Sequence, residues 1–310
     1  MMEWAIWWDA TLDRWRSEGM PAELGGKIEV GAYFGLDADA QYWIGAASAS
    51  CPRPAGHGLP IVKNAGEYAQ IKQHLYPEEA FDKDAVRSIV RRQESGEVVV
   101  WITLEGFFWW PRVLLGIEPH LCAFYDQPDL IKQINEDLLA FQSRAVDEFC
   151  QICVPDFMTF AEDMSYNHGP MLSKAMFDEF VAPYYARIVP VLRDHGIVPV
   201  MDSDGDVTDL IGWAMEQGIQ GILPLERMAG VDVGLLRRRY PGLIMMGGFD
   251  KTVMHLGEHR IREEFERLLP VMRQGGFIPS VDHQTPPGVS IDDYRTYTRL
   301  LGQYCKKACR

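Results

Sequence analysis

The sequence predicts an α/β protein with the architecture of a (β/α)8 barrel. Six apolar runs each lead to an acidic residue or to histidine, and helical stretches separate most of them. A length of 310 residues, 47% of them hydrophobic, suits one TIM-type barrel of about 250 residues with an N-terminal helical extension. Such barrels place their chemistry just past the carboxyl ends of the strands, so the same pattern also predicts site residues.

The six apolar runs are the predicted strands, and the segments between them are the predicted helices. A helix is also expected after Ser173, a residue type common at helix N-caps. That helix is expected to pass through or kink at Pro183, because proline removes a backbone donor. The strands are predicted at 98–104, 157–161, 197–201, 220–225, 243–247 and 277–281, and the other helices at 128–150, 207–217, 231–239, 258–273 and 291–304.

Residues 1–95 carry a weaker pattern and are predicted as the extension of a single barrel domain. The clear β/α units of that domain occupy 96–310. A short amphipathic helix ending at Gly19 is expected near the start of the chain. The segment 46–60 is rich in Gly, Pro, Ser and Ala and is predicted as a loop. The first two strands of the barrel are expected somewhere within 25–75.

The composition disfavours several classes of partner. A formal net charge of -14 and a pI of about 5.0 disfavour nucleic acids and anionic membrane surfaces. The acidic, aromatic N-terminus is unlike a signal peptide, and no apolar stretch reaches the roughly 20 residues needed to cross a bilayer. Among six cysteines, Cys150 and Cys153 form the one CxxC pair, so reduced thiols in a cytoplasmic protein are expected.

Four polar residues at the ends of three predicted strands form the main candidate catalytic set. Asp202 and Asp204 follow one strand, Glu226 follows the next, and His283 follows a later one. Because barrel strands end at one mouth, these side chains are expected to converge there. Together they suit Mg²⁺, Mn²⁺ or Zn²⁺. Without a metal, crowded carboxylates raise one another's pKa, and one would act as a general acid; alternatively, some of the acids are only helix N-caps.

Other polar and aromatic residues after strand ends are predicted to line the mouth and bind substrate. The aromatic residues at 107–110 would either wall the mouth, where they suit a flat or methylated ligand, or pack against a helix. Arg112 and Lys251 are candidates for binding a substrate carboxylate or for pairing with neighbouring acids. The predicted substrate-binding residues are Glu105, Phe107, Trp109, Trp110, Arg112, Glu162, Asp163, His168, Asp250 and Lys251.

Several motifs together resemble the uroporphyrinogen decarboxylase superfamily, which includes corrinoid-dependent methyltransferases. The likeness covers roughly residues 98–305 and implies a distorted (β/α)8 barrel. The segments that carry it are Glu162–Ser173, Pro183–Tyr185, Asp202–Val207, Gly247–Lys251 and Gly275–Pro287.

The sequence departs from both branches of that superfamily. The decarboxylases carry an N-terminal Arg-Gln-Ala-Gly-Arg motif for substrate carboxylates, whereas the corresponding region here, 31–35, is Gly-Ala-Tyr-Phe-Gly. Their late histidine corresponds to His283. The methyltransferases bind zinc through a His-x-Cys pair, in some cases a glutamate, and a final cysteine. Asp202, Asp204, Glu226 and His283 occupy those positions, so the thiolates are lost and a thiol acceptor is not expected.

The resemblance and the candidate residues lead to three functional hypotheses. The first is a methyltransferase that moves a methyl group from a small methylated donor to a corrinoid carried by a partner protein, with a divalent metal as a further expected cofactor. The second is a decarboxylase or lyase on a carboxylate substrate, in which His283 and an acid manage protons. The third is a non-catalytic ligand-binding barrel. A homodimer is expected, and neither nucleic acid nor membrane is an expected partner.

Overall fold

Seven of the nine strands form one curled parallel sheet in the computed structural model, which describes residues 1–310. The strands are β1 (Ala38–Ile44), β2 (Val98–Glu105), β3 (Phe157–Ala161), β4 (Ser165–Tyr166), β5 (Gly169–Pro170), β6 (Val198–Asp202), β7 (Gly221–Leu223), β8 (Ile244–Phe249) and β9 (Phe277–Val281). Their order in the sheet is β1-β2-β3-β6-β7-β8-β9, and β4 and β5 form a separate hairpin. The sheet is consistent with a distorted (β/α)8 barrel, and the predicted fold class is confirmed.

Thirteen α-helices connect and cover the strands. Parallel neighbours need a crossover connection, which these helices supply. None of them combines the length and apolar character required of a membrane span. The helices are α1 (Asp9–Ser17), α2 (Lys27–Tyr33), α3 (Ala65–Ile71), α4 (Lys83–Glu94), α5 (Trp109–Leu115), α6 (Ile117–Asp126), α7 (Pro128–Cys150), α8 (Lys174–Phe180), α9 (Ala182–Asp194), α10 (Leu210–Glu216), α11 (Val233–Arg239), α12 (Glu258–Met272) and α13 (Ile291–Ala308).

The side chains of the sheet divide between two apolar clusters. Met201 and Met245 belong to a core of 80 buried residues that includes side chains of both the sheet and the helices. Val200 and Leu223 belong to a separate small cluster. Successive side chains of a strand point to opposite faces, so each strand contributes to both clusters. Val200 lies two positions before Asp202, which places the small cluster on the same face of the sheet as that carboxyl group.

The beginning of the barrel differs from the prediction. One strand, β1, lies within 25–75, where two were expected, and β1 does not pair with β9. Residues 1–8 contact both of these edge strands instead. The Asp37 N–H donates to the Met1 carbonyl at 2.8 Å, and the Trp4 indole donates to the Val281 carbonyl at 2.9 Å. Because this segment makes isolated contacts rather than a strand ladder, no alternating pattern marks it in the sequence.

The helix predicted after Ser173 is two helices. α8 ends at Phe180 and α9 begins at Ala182, so Pro183 lies in the first turn of α9. A proline there removes an N–H that has no partner within the helix. Ser173 caps α8 by accepting a hydrogen bond from the Met176 N–H, as its residue type predicts.

Glu3 is a buried acid that ties the N-terminal segment to the barrel. Its carboxyl group accepts hydrogen bonds from the Val281 N–H at 3.2 Å and from the Tyr297 hydroxyl at 3.1 Å. Burial raises the pKa of Glu3 to about 8, although both bonds and the nearby Lys27 act in the opposite direction. The folded protein therefore holds this proton more tightly than the unfolded chain, and the associated stability is lost as the pH rises towards 8.

A Glu3→Gln variant is expected to show a flatter pH dependence of unfolding. Between its ordinary pKa and about 8, Glu3 lowers the free energy of unfolding by about 1.4 kcal/mol per pH unit. Glutamine has no proton to lose, so the variant should be the more stable protein at alkaline pH. Urea unfolding across this pH range measures the difference, and an unchanged slope would contradict the assignment.

Candidate active site

A cavity of about 380 Å³, called the mouth cavity here, opens where the N-terminal segment meets the carboxyl ends of the strands. A cavity of this volume suits a small molecule. A wider groove of about 650 Å³ beside α4 and α7 is lined mainly by surface charges and contains none of the predicted site residues. The lining of the mouth cavity consists of Trp4, Ala5, Ile6, Gln41, Trp43, Trp101, Asp163, Asp202, Asp204, His283 and Gln284.

Asp202 and Asp204 reach the cavity from the end of β6. Asp202 is the last residue of that strand and is only partly exposed. Its carboxyl group accepts no hydrogen bond from the protein, and burial together with Asp163 and Asp204 raises its pKa well above the ordinary value. The accessible surface of Asp202 faces the cavity. Protein surrounds the rest of the carboxyl group, so the loss of hydration is the largest cause of its raised pKa. Asp202 is therefore a carboxyl group beside the cavity that binds its proton more tightly than an ordinary aspartate does.

Glu226, after β7, holds the loop that follows Asp204. Its Oε2 accepts a hydrogen bond from the Gly205 N–H at 2.9 Å, and its Oε1 lies 3.8 Å from Lys251 Nζ. Gly205 has a φ of +82°, and an added Cβ would lie 2.7 Å from the Tyr166 backbone, so the loop requires glycine there. Glu226 thus fixes the backbone next to Asp204 while pairing with a lysine.

His283 faces Asp204 across the mouth, with 3.5 Å between Nε2 and Oδ2. Its ring meets Trp4 edge to face at 6.3 Å. Asp204 raises the pKa of His283, and burial opposes this effect. Ligand atoms of Asp204, Glu226 and His283 all lie within 4.8 Å of one another. The structure therefore brings these three together, with Asp202 beside them on the cavity wall.

Asp282, adjacent to His283 in sequence, has a different environment. It is fully buried and accepts hydrogen bonds from the Arg227 N–H at 2.9 Å and the Lys251 N–H at 3.2 Å. Burial raises the pKa of Asp282 to about 6. Asp282 therefore ties the loops after β7 and β8 to the end of β9 and does not orient the imidazole.

Glu162 and Asp163 are neighbours with different roles. Glu162 is fully buried; it accepts hydrogen bonds from the backbone N–H groups of residues 107–109 at 2.8, 2.8 and 3.2 Å, and from the Tyr185 hydroxyl. Burial raises its pKa to about 7. The expectation that Glu162 binds substrate is corrected, because its carboxylate caps the beginning of α5. Asp163 does line the cavity, and burial and Asp204 raise its pKa.

Glu105 lies behind the cavity wall rather than on it. It is 7% exposed, and its Oε1 accepts a hydrogen bond from the Trp43 indole at 3.0 Å. Burial raises the pKa of Glu105. The predicted contact of Glu105 with substrate is therefore corrected, since this acid positions Trp43, which lines the cavity.

The aromatic residues at 107–110 do not wall the cavity, contrary to the first of the two predicted possibilities. Phe107 and Trp110 are at most 2% exposed and pack in the core. Trp109 is partly exposed but lies beneath the Arg112 guanidinium, at 5.1 Å from the ring centroid. Successive residues at the start of a helix point in different directions, so four neighbouring aromatics cannot share one wall.

Four further predicted substrate-binding residues also lie outside the lining, and one of them, Lys251, pairs with Glu226. Arg112 donates to the Asp163 carbonyl at 3.0 Å. The Asp250 carboxylate accepts a hydrogen bond from the Thr252 N–H at 2.8 Å and so closes a turn. His168 is exposed in the β4–β5 hairpin. Arg112 and Asp250 thus make structural contacts, and His168 faces solvent.

Tryptophans from the N-terminal segment and the first two strands supply the aromatic wall. Trp4, Trp43 and Trp101 line the cavity, and Gln41 and Gln284 add neutral amides. The sequence reasoning missed them because the first part of the chain has weak periodicity. The alternation of Gln41 and Trp43 was the available signal, since residues two apart on a strand share a face.

Asp204, Glu226 and His283 are the residues that would hold a divalent metal, but other charges already engage them. Metal ligation needs distances of about 2.0–2.2 Å, so these side chains would have to draw together. The Lys251 ammonium already lies 3.8 Å from Glu226. Asp204 favours the protonated form of His283, which cannot ligate a metal. A metal would therefore have to draw the three side chains together, release Lys251 from Glu226 and displace a proton from His283, which counts against a resident metal in this arrangement.

Gly247 in β8 is required by the loop that carries Glu226. Its φ is +103°, and an added Cβ would overlap the Pro224 carbonyl oxygen. A Gly247→Ala variant is expected to lose about 3 kcal/mol of unfolding free energy in urea denaturation. Gly242→Ala is the control, because no atom lies near its added Cβ, and it should change stability by less than about 0.5 kcal/mol. Similar losses in the two variants would contradict this explanation.

A protein family and a curated protein match the chain in sequence. The family described as "Uroporphyrinogen decarboxylase (URO-D)" matches residues 65–304. A uroporphyrinogen decarboxylase of Anaeromyxobacter sp. (strain Fw109-5) is 25% identical over 145 residues, which are 44% of this chain and 38% of that protein. The match thus spans well under half of that relative's length.

Two glycoside hydrolases are among the solved structures with some similarity. Xylanase B from Clostridium stercorarium F9 has a TM-score of 0.41 and 12% identity, covering 72% of this chain and 82% of the xylanase. The endo-1,4-beta-xylanase XylE from Penicillium canescens has a TM-score of 0.37 and 10% identity, covering 78% and 82%. Similarity at this level supports no conclusion about fold or function.

The family match covers more than half of the chain, from residue 65 to residue 304. It includes strands β2 to β9 and the four residues of the predicted catalytic set, whereas Trp4 and Trp43 lie outside it. The chain therefore belongs to the uroporphyrinogen decarboxylase (URO-D) family, whose members are enzymes.

Proposed function

We propose that this enzyme transfers a methyl group from a small methylated donor to the Co(I) corrinoid of a partner protein. The observation that carries the proposal is the mouth cavity, where three aspartates and one histidine meet a small space lined by tryptophans. Membership of a family that resembles corrinoid-dependent methyltransferases supports it. The same membership would suit decarboxylation, and the charge of the cavity is the reason for proposing methyl transfer first.

The charge of the cavity disfavours a substrate with several carboxylates. Three aspartates line it, and His283 is the only basic residue of the lining. The basic side chains nearby are engaged, since Arg112 donates to the Asp163 carbonyl and Lys251 lies beside Glu226. A polyanion would therefore meet like charges and few free donors, which costs binding energy. A neutral or positively charged methyl donor meets no such barrier.

Asp202 is the proposed proton donor to the leaving group. The bond between the methyl carbon and the donor heteroatom breaks, and the heteroatom keeps the electron pair. Co(I) supplies the pair for the new bond to the methyl carbon, and the Asp202 proton passes to the heteroatom. A positioned acid contributes about 10²–10⁴-fold to rate. Burial, Asp163 and Asp204 raise the pKa of Asp202 and so favour its protonated form, and Asp204 and His283 lie in the same lining.

The reaction is proposed to proceed without a resident metal, because Lys251 and His283 already engage the carboxylates that would bind one. Treatment with a chelator is expected to leave both the thermal midpoint and the methyl-transfer rate unchanged. Calorimetric titration with Zn²⁺ or Mn²⁺ should show no tight site. Tight stoichiometric binding that His283→Ala abolishes, but that the exposed control His168→Ala retains, would contradict this expectation.

Free cob(I)alamin, as a substitute for the partner's corrinoid, allows the proposed activity to be tested. The purified protein is mixed with cob(I)alamin and one donor at a time, such as tetramethylammonium, trimethylammonium, methanol or a methoxybenzoate. Methylcobalamin, followed by its absorbance spectrum, is expected to form with at least one donor. Absence of enzyme-dependent methylcobalamin with every donor would count against methyl transfer.

A carboxy-lyase is the second candidate, and the match to a uroporphyrinogen decarboxylase favours it. In that reaction His283 and an acid would transfer protons to and from the substrate. The substrate carboxylates would have to bind beside Asp163 and Asp204. Incubation with uroporphyrinogen, followed by chromatography for coproporphyrinogen, tests this alternative. Steady formation of coproporphyrinogen would replace the first proposal.

A further inference from the structure

We infer that the methyl donor is a small organic cation, a methylated ammonium compound, held between the tryptophan rings and the carboxylates of the mouth cavity. The role of this cation as donor rests on the proposed function. Its binding is a property of the cavity alone and can be tested separately.

Trp4 and Trp43 offer aromatic rings rather than hydrogen-bond donors, whereas the Trp101 ring is stacked on Phe157 and has the Lys27 ammonium 5.5 Å from its centroid. All three indole N–H groups already donate elsewhere, to a backbone carbonyl or to a carboxylate, at 2.9–3.0 Å. Trp43 nevertheless remains 51% exposed, so part of its ring surface is available at the cavity. The face of an indole ring attracts a cation more strongly than that of any other side chain.

The carboxylates give the lining a net negative charge. Asp163 and Asp204 face the cavity, and His283 is the only basic residue among the lining side chains. Three acidic side chains of the lining thus stand against one imidazole. Gln41 and Gln284 add no charge. The lining is therefore acidic, which favours the binding of a single organic cation.

Three basic side chains near the cavity already have partners, which disfavours anions. Lys27 lies 2.6 Å from the Asp39 carboxylate and also donates to a backbone carbonyl. Lys251 lies beside Glu226, and the Arg112 guanidinium donates to a backbone carbonyl. A neutral molecule would meet the same rings without an attraction to the carboxylates. The cavity thus distinguishes a methylated ammonium ion both from an anion and from a neutral molecule of the same shape.

A cationic donor also suits the proposed transfer. The C–N bond breaks, the amine leaves with the electron pair, and Co(I) supplies both electrons of the new bond to carbon. The departing amine is neutral and basic, so it takes the proton from the Asp202 carboxyl group. The product ammonium ion then faces the Asp202 carboxylate, and the positive charge remains in an environment that stabilises it.

Calorimetric titration of the purified chain with tetramethylammonium, and separately with tert-butyl alcohol, tests the inference. The alcohol is a neutral molecule of similar shape, so the cation should bind saturably and at least about tenfold more tightly. Trp43→Leu and Asp163→Asn should each weaken cation binding by about tenfold. Asparagine tolerates the left-handed backbone of Asp163, at φ +41°, so this variant should fold.

Trp8→Leu and Asp209→Asn are the matched controls. Both residues are exposed and lie outside the lining, so both variants should bind the cation as the wild type does. Circular dichroism of the four variants verifies that each is folded. No saturable cation binding, equal binding of cation and alcohol, or unchanged cation binding in Trp43→Leu and Asp163→Asn would overturn the inference.

The failure of this inference can be distinguished from the failure of the proposed function. Selective cation binding without methylcobalamin formation from any donor would remove methyl transfer and leave the cation site. Methylcobalamin formation from neutral methoxylated donors alone, without cation binding, would remove the cation site and leave methyl transfer.

Discussion

A Glu162→Ala variant is expected to lose about 3–5 kcal/mol of unfolding free energy, which is a large part of the stability of an ordinary domain. The carboxylate accepts hydrogen bonds from the N–H groups of residues 107–109 and from the Tyr185 hydroxyl, all in the protein interior. Alanine leaves these donors without partners where water cannot replace the carboxylate. Urea denaturation of both proteins at neutral pH measures the loss.

Glu162→Gln separates the loss of hydrogen bonds from the loss of volume. The amide fills nearly the same space but offers one acceptor oxygen and directs an NH₂ group at other donors, so an intermediate loss is expected. Because Glu162 has a pKa of about 7, its protonated form in the folded protein is lost as the pH rises through 7. The associated stability should disappear over that range in the wild type and not in Glu162→Gln. Full stability of Glu162→Ala would contradict the capping role.

An Asp202→Asn variant is expected to lower kcat for methyl transfer from tetramethylammonium by about tenfold while retaining its affinity for this cation. The nitrogen of an ammonium donor can take a proton only after the C–N bond has broken, so the acid acts by preventing the departed amine from attacking the methylated cobalt again. Asparagine keeps the shape of the side chain but cannot give up a proton to the leaving amine. In the wild type, kcat should fall as the pH rises through the pKa of Asp202, because only the protonated form can donate. Burial and two neighbouring aspartates raise that pKa, so the fall should occur well above the ordinary range of an aspartate.

Asp209→Asn provides the control for this experiment, since Asp209 is exposed and outside the cavity. It should retain both kcat and the pH profile. If Asp202→Asn retained kcat and the alkaline fall, the proton would have to come from another group, and His283 would be the next candidate.

The strands after residue 95 could be predicted because each is a compact apolar run followed by an acid or a histidine. β3 and β9 lie at the predicted bounds, and α7 matches the predicted helix at 128–150. The start of the barrel could not be predicted in the same way. Its β1 alternates polar and apolar residues, and residues 1–8 contact both edges of the sheet through irregular backbone, which has no periodic signature.

The part of the candidate site that could be predicted is the part whose position follows from the order and direction of the strands. Asp202, Asp204, Glu226 and His283 converge because parallel strands end at the same edge of a sheet. The burial of Glu162 and the inward packing of Phe107 depend on α5, whose orientation follows from tertiary contacts. The tryptophan wall depends on residues far apart in sequence. Local sequence patterns do not contain such information. The aromatic residues at 107–110 were therefore candidates for the cavity wall, which Trp4, Trp43 and Trp101 form instead.

The most direct measurement of the proposed activity is the mass of the methylcobalamin formed from a donor with deuterium-labelled methyl groups. Wild-type protein, labelled tetramethylammonium and cob(I)alamin are expected to yield methylcobalamin that carries the deuterated methyl group, and Asp202→Asn should form it more slowly. The contradicting result is the absence of labelled methylcobalamin with folded wild-type protein, for this donor and for labelled neutral donors, while the same preparation converts uroporphyrinogen to coproporphyrinogen.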